Sequence, residues 1–156
     1  MSTNKFNLFL ENARLLSDKF DIVPLLYGSL GLEYLIGDVL GVDDIDILVP
    51  RVFITERWQE FKALLETQGY VLVDEHEHTF VRDGVAYSYA DIEDLESFAG
   101  INTESIEMHE VDGIRFLLLT LEQYLAVYKQ SSKDGYRVKV RQKKDADKIR
   151  FIESKL

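Results

Sequence analysis

Two aspartates separated by one residue interrupt an otherwise apolar run, Asp44-Ile45-Asp46-Ile47-Leu48-Val49, and a Gly28-Ser29 step lies upstream of them. On an extended strand residues i and i+2 face the same way. Asp44 and Asp46 therefore project together while Ile45 and Ile47 point to the opposite face. Carboxylates this close repel each other unless a cation sits between them. A hard divalent ion removes that penalty, and Mg²⁺ commonly takes one or two carboxylates plus the phosphates of a substrate. Glycine lets the backbone approach a ligand closely, and the first turn of a helix offers free N–H groups to a phosphate. The other reading of the aspartate pair by itself is a solvated strand with polar residues on one face.

The elements that must position these groups follow from hydrophobic spacing. Phe6, Phe9, Leu10, Ala13, Leu16 and Phe20 recur at helical intervals and predict a first amphipathic helix over residues 4–19. A short apolar strand over 22–27 tolerates Pro24 only near its start or on an edge. Gly28-Ser29 then opens a helix to about residue 37, ended by Gly37 and Gly41, and a strand over 44–49 stops at Pro50. Thr55 is expected to cap a helix that carries Trp58, Phe61 and Leu65 and closes at Gly69. Asp83-Gly84 and Asp112-Gly113, each between apolar flanks, predict two hairpins, with a short helix in the intervening acidic stretch. Thr120 caps a helix with Leu121, Tyr124, Leu125 and Tyr128 on one face, and a basic helix over about 138–155 packs through Ala146, Ile149, Ile152 and Leu156. The order implies an α/β (α+β) fold, a mixed sheet flanked by helices, in one domain over 1–156.

Composition narrows the chemistry. The 156 residues are 46 % hydrophobic and 29 % charged, enough for a sizeable core. Cysteine is absent, which excludes disulfides, thiol catalysis and zinc–thiolate sites. No apolar run approaches the ~18 residues of a membrane span, and the N-terminal pattern is amphipathic rather than a signal peptide, so a cytoplasmic location is expected. A net charge of −10 repels polyanions and argues against general nucleic-acid binding. The charge is uneven, however: residues 83–112 hold nine acids and no Lys or Arg, whereas 129–150 hold nine of the eighteen basic residues. The basic segment is either a solvated helix face or a place where an anionic ligand is held.

The joint pattern, hydrophobic-Gly-Ser followed by Asp-hydrophobic-Asp-hydrophobic, resembles the signature of the nucleotidyltransferase superfamily, the fold of DNA polymerase beta and CCA-adding enzymes. The resemblance implies that Gly28 and Ser29 contact a triphosphate and that Asp44 and Asp46 hold Mg²⁺, two ions in an active enzyme. It also implies a third carboxylate from a later strand. Asp91 fits best, since alternation places Val85, Tyr87, Tyr89 and Asp91 on one face, and Glu93 serves if the register slips. Lys129, Arg141, Lys144, Asp145 and Asp147 resemble a late motif of some bacterial members, which makes Lys129 and Lys144 candidates for the phosphates. Fourteen residues separate Ser29 from Asp44, an interval similar to that of small antibiotic-modifying members. The implied activity is Mg²⁺-dependent transfer of a nucleoside monophosphate from an NTP to a hydroxyl on a small molecule, a protein or an RNA end. The alternatives are a catalytically silent member that binds nucleotide or a partner, and a toxin-type enzyme with an antitoxin-like partner protein. His76 and His78 share a strand face at i, i+2 spacing but fit a charged loop better than a metal site. His109 is read as structural or exposed, and Trp58, Phe61, Tyr87 and Tyr89 are read as core.

Overall fold

The computed structural model describes residues 3–37, 42–132 and 146–156. Gly41, the expected start of the last helix near 138, and the basic residues from Lys133 to Lys144 lie outside them. The described elements are α1 (Thr3–Phe20), β1 (Leu25–Tyr27), α2 (Gly28–Ile36), β2 (Ile45–Val49), α3 (Trp58–Thr67), β3 (Val71–Asp74), β4 (Thr79–Arg82), β5 (Val85–Asp91), α4 (Asp94–Ala99), β6 (Glu107–Val111), β7 (Ile114–Leu118) and α5 (Leu121–Ser131). A last helical segment, α6, covers residues 146–155. No helix among the described residues is long and apolar enough to cross a membrane.

The strands form one seven-stranded sheet in the order β3-β4-β5-β2-β1-β7-β6. It is mixed, because β1 runs antiparallel to β2 while β1/β7 and β2/β5 are parallel. Parallel pairing demands a long crossover. The α3–β3–β4 excursion supplies it between β2 and β5. Both expected hairpins are present, with Asp83 and Gly84, and Asp112 and Gly113, all at positive φ. Ile45, Ile47 and Val49 are buried on one face of β2 together with Tyr87 and Tyr89 of β5. Helices α1 and α3 cover that face. Phe61 meets the Tyr89 ring edge-on at 5.1 Å, Phe9 meets Phe116 at 5.5 Å, and Asn12 Nδ2 donates to the Tyr89 hydroxyl at 2.7 Å. The aromatic residues read as core are core.

Three local expectations are corrected. Thr55 does not cap α3: Pro50 leads into a 3₁₀ turn over Arg51–Ile54, the Thr55 hydroxyl donates back to the Arg51 carbonyl, and α3 begins at Trp58. The buried face of α5 is Tyr124, Val127, Tyr128 and Ser131, which leaves Leu121 and Leu125 half-buried. Leu156 is exposed, while Ile152 is fully buried. The start of α5 is as read: the Thr120 side chain accepts from Gln123 N at 3.2 Å while Gln123 Oε1 accepts from Thr120 N at 3.0 Å. Thr120→Ala is expected to cost about 1 kcal/mol of stability, checked as a shift in urea midpoint with an unchanged m value.

Candidate active site

The Gly28-Ser29 step, the two aspartates and the last two helices surround one cleft of about 930 Å³. That volume is in the range of small-molecule binding clefts. The strand β1 ends at Tyr27, in register with Asp46 on antiparallel β2, so the β1–α2 turn falls directly beside the Asp46 carboxylate. Gly28 makes this possible. Its φ is +65°, and a Cβ built there would lie 2.5 Å from Asp46 Oδ2. Any side chain would fill the space next to that oxygen. Asp44 sits one residue before β2 begins, exposed at the mouth of the same cleft.

Tyr124 braces the turn from α5. Its hydroxyl donates to the Gly28 carbonyl at 3.0 Å. Burial pushes the Tyr124 phenol well above the usual tyrosine range, so it stays a donor at any working pH. Helix α6 contributes Lys148, whose Nζ donates to Ser29 Oγ at 2.8 Å and lies 5.1 Å from the centre of the Tyr128 ring. Among the described residues the charge bordering the cleft is lopsided: Asp43, Asp44, Asp46, Glu77, Asp91, Asp94 and Asp147 stand against Lys148.

The expected third carboxylate is placed elsewhere. In the parallel β2/β5 ladder Asp46 is in register with Ser88, and Asp91 with Val49. In-register neighbours share a face. Asp91 therefore follows Val49, Ile47 and Tyr89 to the core face and reaches the cleft only at its far rim. There Arg51 Nε pairs with Asp91 Oδ2, the Glu93 N–H donates to Asp91 Oδ1 at 2.8 Å, and a second Arg51 nitrogen reaches Asp94 at 3.2 Å. These acids, with Asp91 hydrogen-bonding most strongly, raise the Arg51 pKa further. Glu93 accepts from the Arg51 N–H at 3.2 Å and is no substitute. The residue that faces Asp46 from β5 is Ser88.

The basic candidates are also redistributed. Lys129 pairs with Glu153 at 3.8 Å and does not border the cleft, and Lys144 lies outside the described residues. Among the described residues the lysine that borders the cleft is Lys148. The basic stretch 129–150 pointed to it without singling it out. His76 is 93 % exposed, and His78 packs against Trp58 at 4.7 Å, where burial lowers its pKa. His109 stacks on Phe116. Among the described residues no three His, Cys, Asp or Glu side chains form a group able to hold a metal ion by themselves. Asp44 and Asp46 both border the cleft and offer hard carboxylate oxygens of the kind Mg²⁺ takes together with substrate phosphates, and Gly28 is what lets the turn lie against Asp46 Oδ2.

Comparison with known proteins places the chain. The uncharacterized protein YnaI of Bacillus subtilis (strain 168) is 40 % identical over 147 residues, 94 % of each chain. The chain belongs to the YnaI family. No family model matches it. Among solved structures, a nucleotidyltransferase-like protein from Paracoccidioides brasiliensis superposes with a TM-score of 0.63 at 17 % identity, covering 94 % of this chain and 73 % of that one. The solution structure of the antibiotic-resistance factor ANT(2'')-Ia gives 0.61 at 16 % identity, covering 99 % and 91 %. ANT(2")-Ia in complex with adenylyl-2"-tobramycin gives 0.54 at 13 %, covering 99 % and 96 %. At these identities the shared property is the fold, and this member of the YnaI family has the nucleotidyltransferase fold.

Proposed function

We propose that the chain is a nucleotidyltransferase that binds an NTP with Mg²⁺ in this cleft and passes the nucleoside monophosphate to an acceptor. The observation that carries the reading is the convergence of the Gly28-Ser29 turn, the Asp46 carboxylate and the Lys148 ammonium at one end of the cleft. Its support outside the chain is the fold shared with ANT(2")-Ia, a protein solved in complex with adenylyl-2"-tobramycin.

The first-turn N–H groups of α2 and the Ser29 hydroxyl donate to the triphosphate, and Lys148 neutralises charge on it. Tyr124 holds the turn that presents those donors. Asp44 and Asp46 would hold Mg²⁺, which when bound offsets phosphate charge and stabilises the pyrophosphate leaving group. The test is calorimetric titration with non-hydrolysable analogues of the four NTPs, with Mg²⁺ and with EDTA. Binding is expected only with Mg²⁺, and no binding by folded protein to any analogue would sink the reading. Lys148→Ala is expected to weaken binding by about tenfold or more, the scale of one charge-assisted hydrogen bond. Equal affinity in that variant would remove Lys148 from the site.

A second reading, binding without transfer, is favoured by Ser88 standing where a carboxylate facing Asp46 was expected. It predicts the same titration result with no pyrophosphate release in the presence of acceptors.

A further inference from the structure

We propose that the cleft holds one divalent ion with its nucleotide, not the two that the sequence pattern implies, and that Ser88 sets that count; this rests on the Mg–nucleotide part of the reading above. Where two ions act together they stand about 3.5–4 Å apart, one at the leaving oxygen and one at the attacking oxygen. Dications that close repel each other, and carboxylates shared between them offset the repulsion. Asp44, Asp46 and the phosphates suffice for one Mg²⁺ ion. A second ion needs a further carboxylate beside Asp46, on the side away from the Gly28-Ser29 turn.

The strand register puts a hydroxyl there. Asp46 has Tyr27 of β1 on one side and Ser88 of β5 on the other. Ser88 Oγ lies 2.8 Å from Thr79 Oγ1, which also reaches the Glu77 carbonyl at 3.5 Å. A hydroxyl is neutral, so it brings no charge to set against a second dication. The nearby carboxylates do not take its place. Asp74 ends the row, opposite Thr79. That is three strand spacings, about 14 Å, from Asp46, and Asp74 Oδ1 accepts from the Glu77 N–H at 3.1 Å. Glu77 borders the cleft from the β3–β4 turn with its side chain 69 % exposed, and Asp91 is on the opposite sheet face with Arg51. Among the described residues no three His, Cys, Asp or Glu side chains form a group able to hold an ion. The protein's share is therefore Asp44 and Asp46, enough for one ion. In Ser88→Asp the missing carboxylate lies one strand spacing, about 4.8 Å, from Asp46, where both can reach the same ions.

Electron paramagnetic resonance counts the ions, with Mn²⁺ standing in for Mg²⁺. Protein and a non-hydrolysable NTP analogue, chosen by calorimetry as the tightest of the four, are titrated with Mn²⁺. The loss of free-ion signal gives the ions bound per complex. Asp44→Asn with Asp46→Asn supplies the baseline for weak binding to surface acids. Above that baseline wild type is expected to hold one ion, unchanged as free Mn²⁺ is raised beyond saturation of the first. Ser88→Asp is expected to hold two, and Ser88→Asn, which has the same shape without the charge, one. Ser88→Glu repeats the count should Ser88→Asp lose its circular dichroism spectrum. Two ions in wild type overturn the proposal, and so does a single ion in a folded carboxylate variant. Absence of nucleotide binding by folded wild type instead brings down the reading on which it rests, and the calorimetry, done first, tells these failures apart.

Discussion

Asp44→Asn with Asp46→Asn is expected to abolish Mg²⁺-dependent nucleotide binding, a loss of at least about a hundredfold in affinity, while leaving the protein folded. The size follows from what is removed: breaking close charge contacts in a partly desolvated site costs about 2–5 kcal/mol, and each 1.4 kcal/mol is tenfold. Asn keeps the shape of Asp, and the change lowers the negative charge in a cleft that already holds Asp43, Glu77 and Asp147 beside it. An unchanged far-ultraviolet circular dichroism spectrum separates loss of a ligand site from loss of structure. The acidic lining makes a second demand. A bare triphosphate is repelled, so wild-type protein in EDTA should behave like the variant with Mg²⁺. An affinity within threefold of wild type for the double variant would make the aspartates a surface feature of β2.

Part of this site was legible because it is local. The Gly28-Ser29 turn, the strand that carries Asp46 and the hairpins at Asp83-Gly84 and Asp112-Gly113 depend on spacing and backbone requirements within a dozen residues, and each lies where the sequence puts it. What failed depended on pairing between distant segments. Alternation correctly puts Asp91 on the face of Tyr87 and Tyr89. It says nothing about which face of β2 that is, and the ladder settles it one residue away from the reading, setting Ser88 beside Asp46. A slip of one residue exchanges the faces of a whole strand. Arg51 then gives Asp91 a structural partner that no local pattern announces. The choice of Lys148 over Lys129 is likewise a matter of helix packing: both are basic and near the end of the chain, but Lys129 turns to Glu153 and Lys148 to Ser29.

Gly31→Ala is expected to destabilise the protein by about 2–4 kcal/mol, although alanine is the better helix former by up to about 1 kcal/mol. A Cβ at position 31 would stand 2.1 Å from the Tyr124 hydroxyl oxygen, 2.6 Å from the Leu26 carbonyl oxygen and 3.2 Å from a Leu118 methyl. Tyr124 is 1 % exposed, so moving it to make room disturbs its packing. Its displacement breaks the hydrogen bond to the Gly28 carbonyl, and the turn beside Asp46 loses its brace. Nucleotide affinity should fall with stability, even though Gly31 touches no ligand. A double-mutant cycle in urea apportions the cost. Tyr124→Phe removes the atom in closest conflict, so Gly31→Ala is expected to cost at least about 1 kcal/mol less in that background. The remaining cost belongs to the Leu26 carbonyl, a backbone group of β1 that has nowhere to go. If the penalty is the same in both backgrounds, the conflict is entirely with that backbone. Gly31 would then be required for seating α2 on β1, and Tyr124 would owe its position at Gly28 to α5 alone.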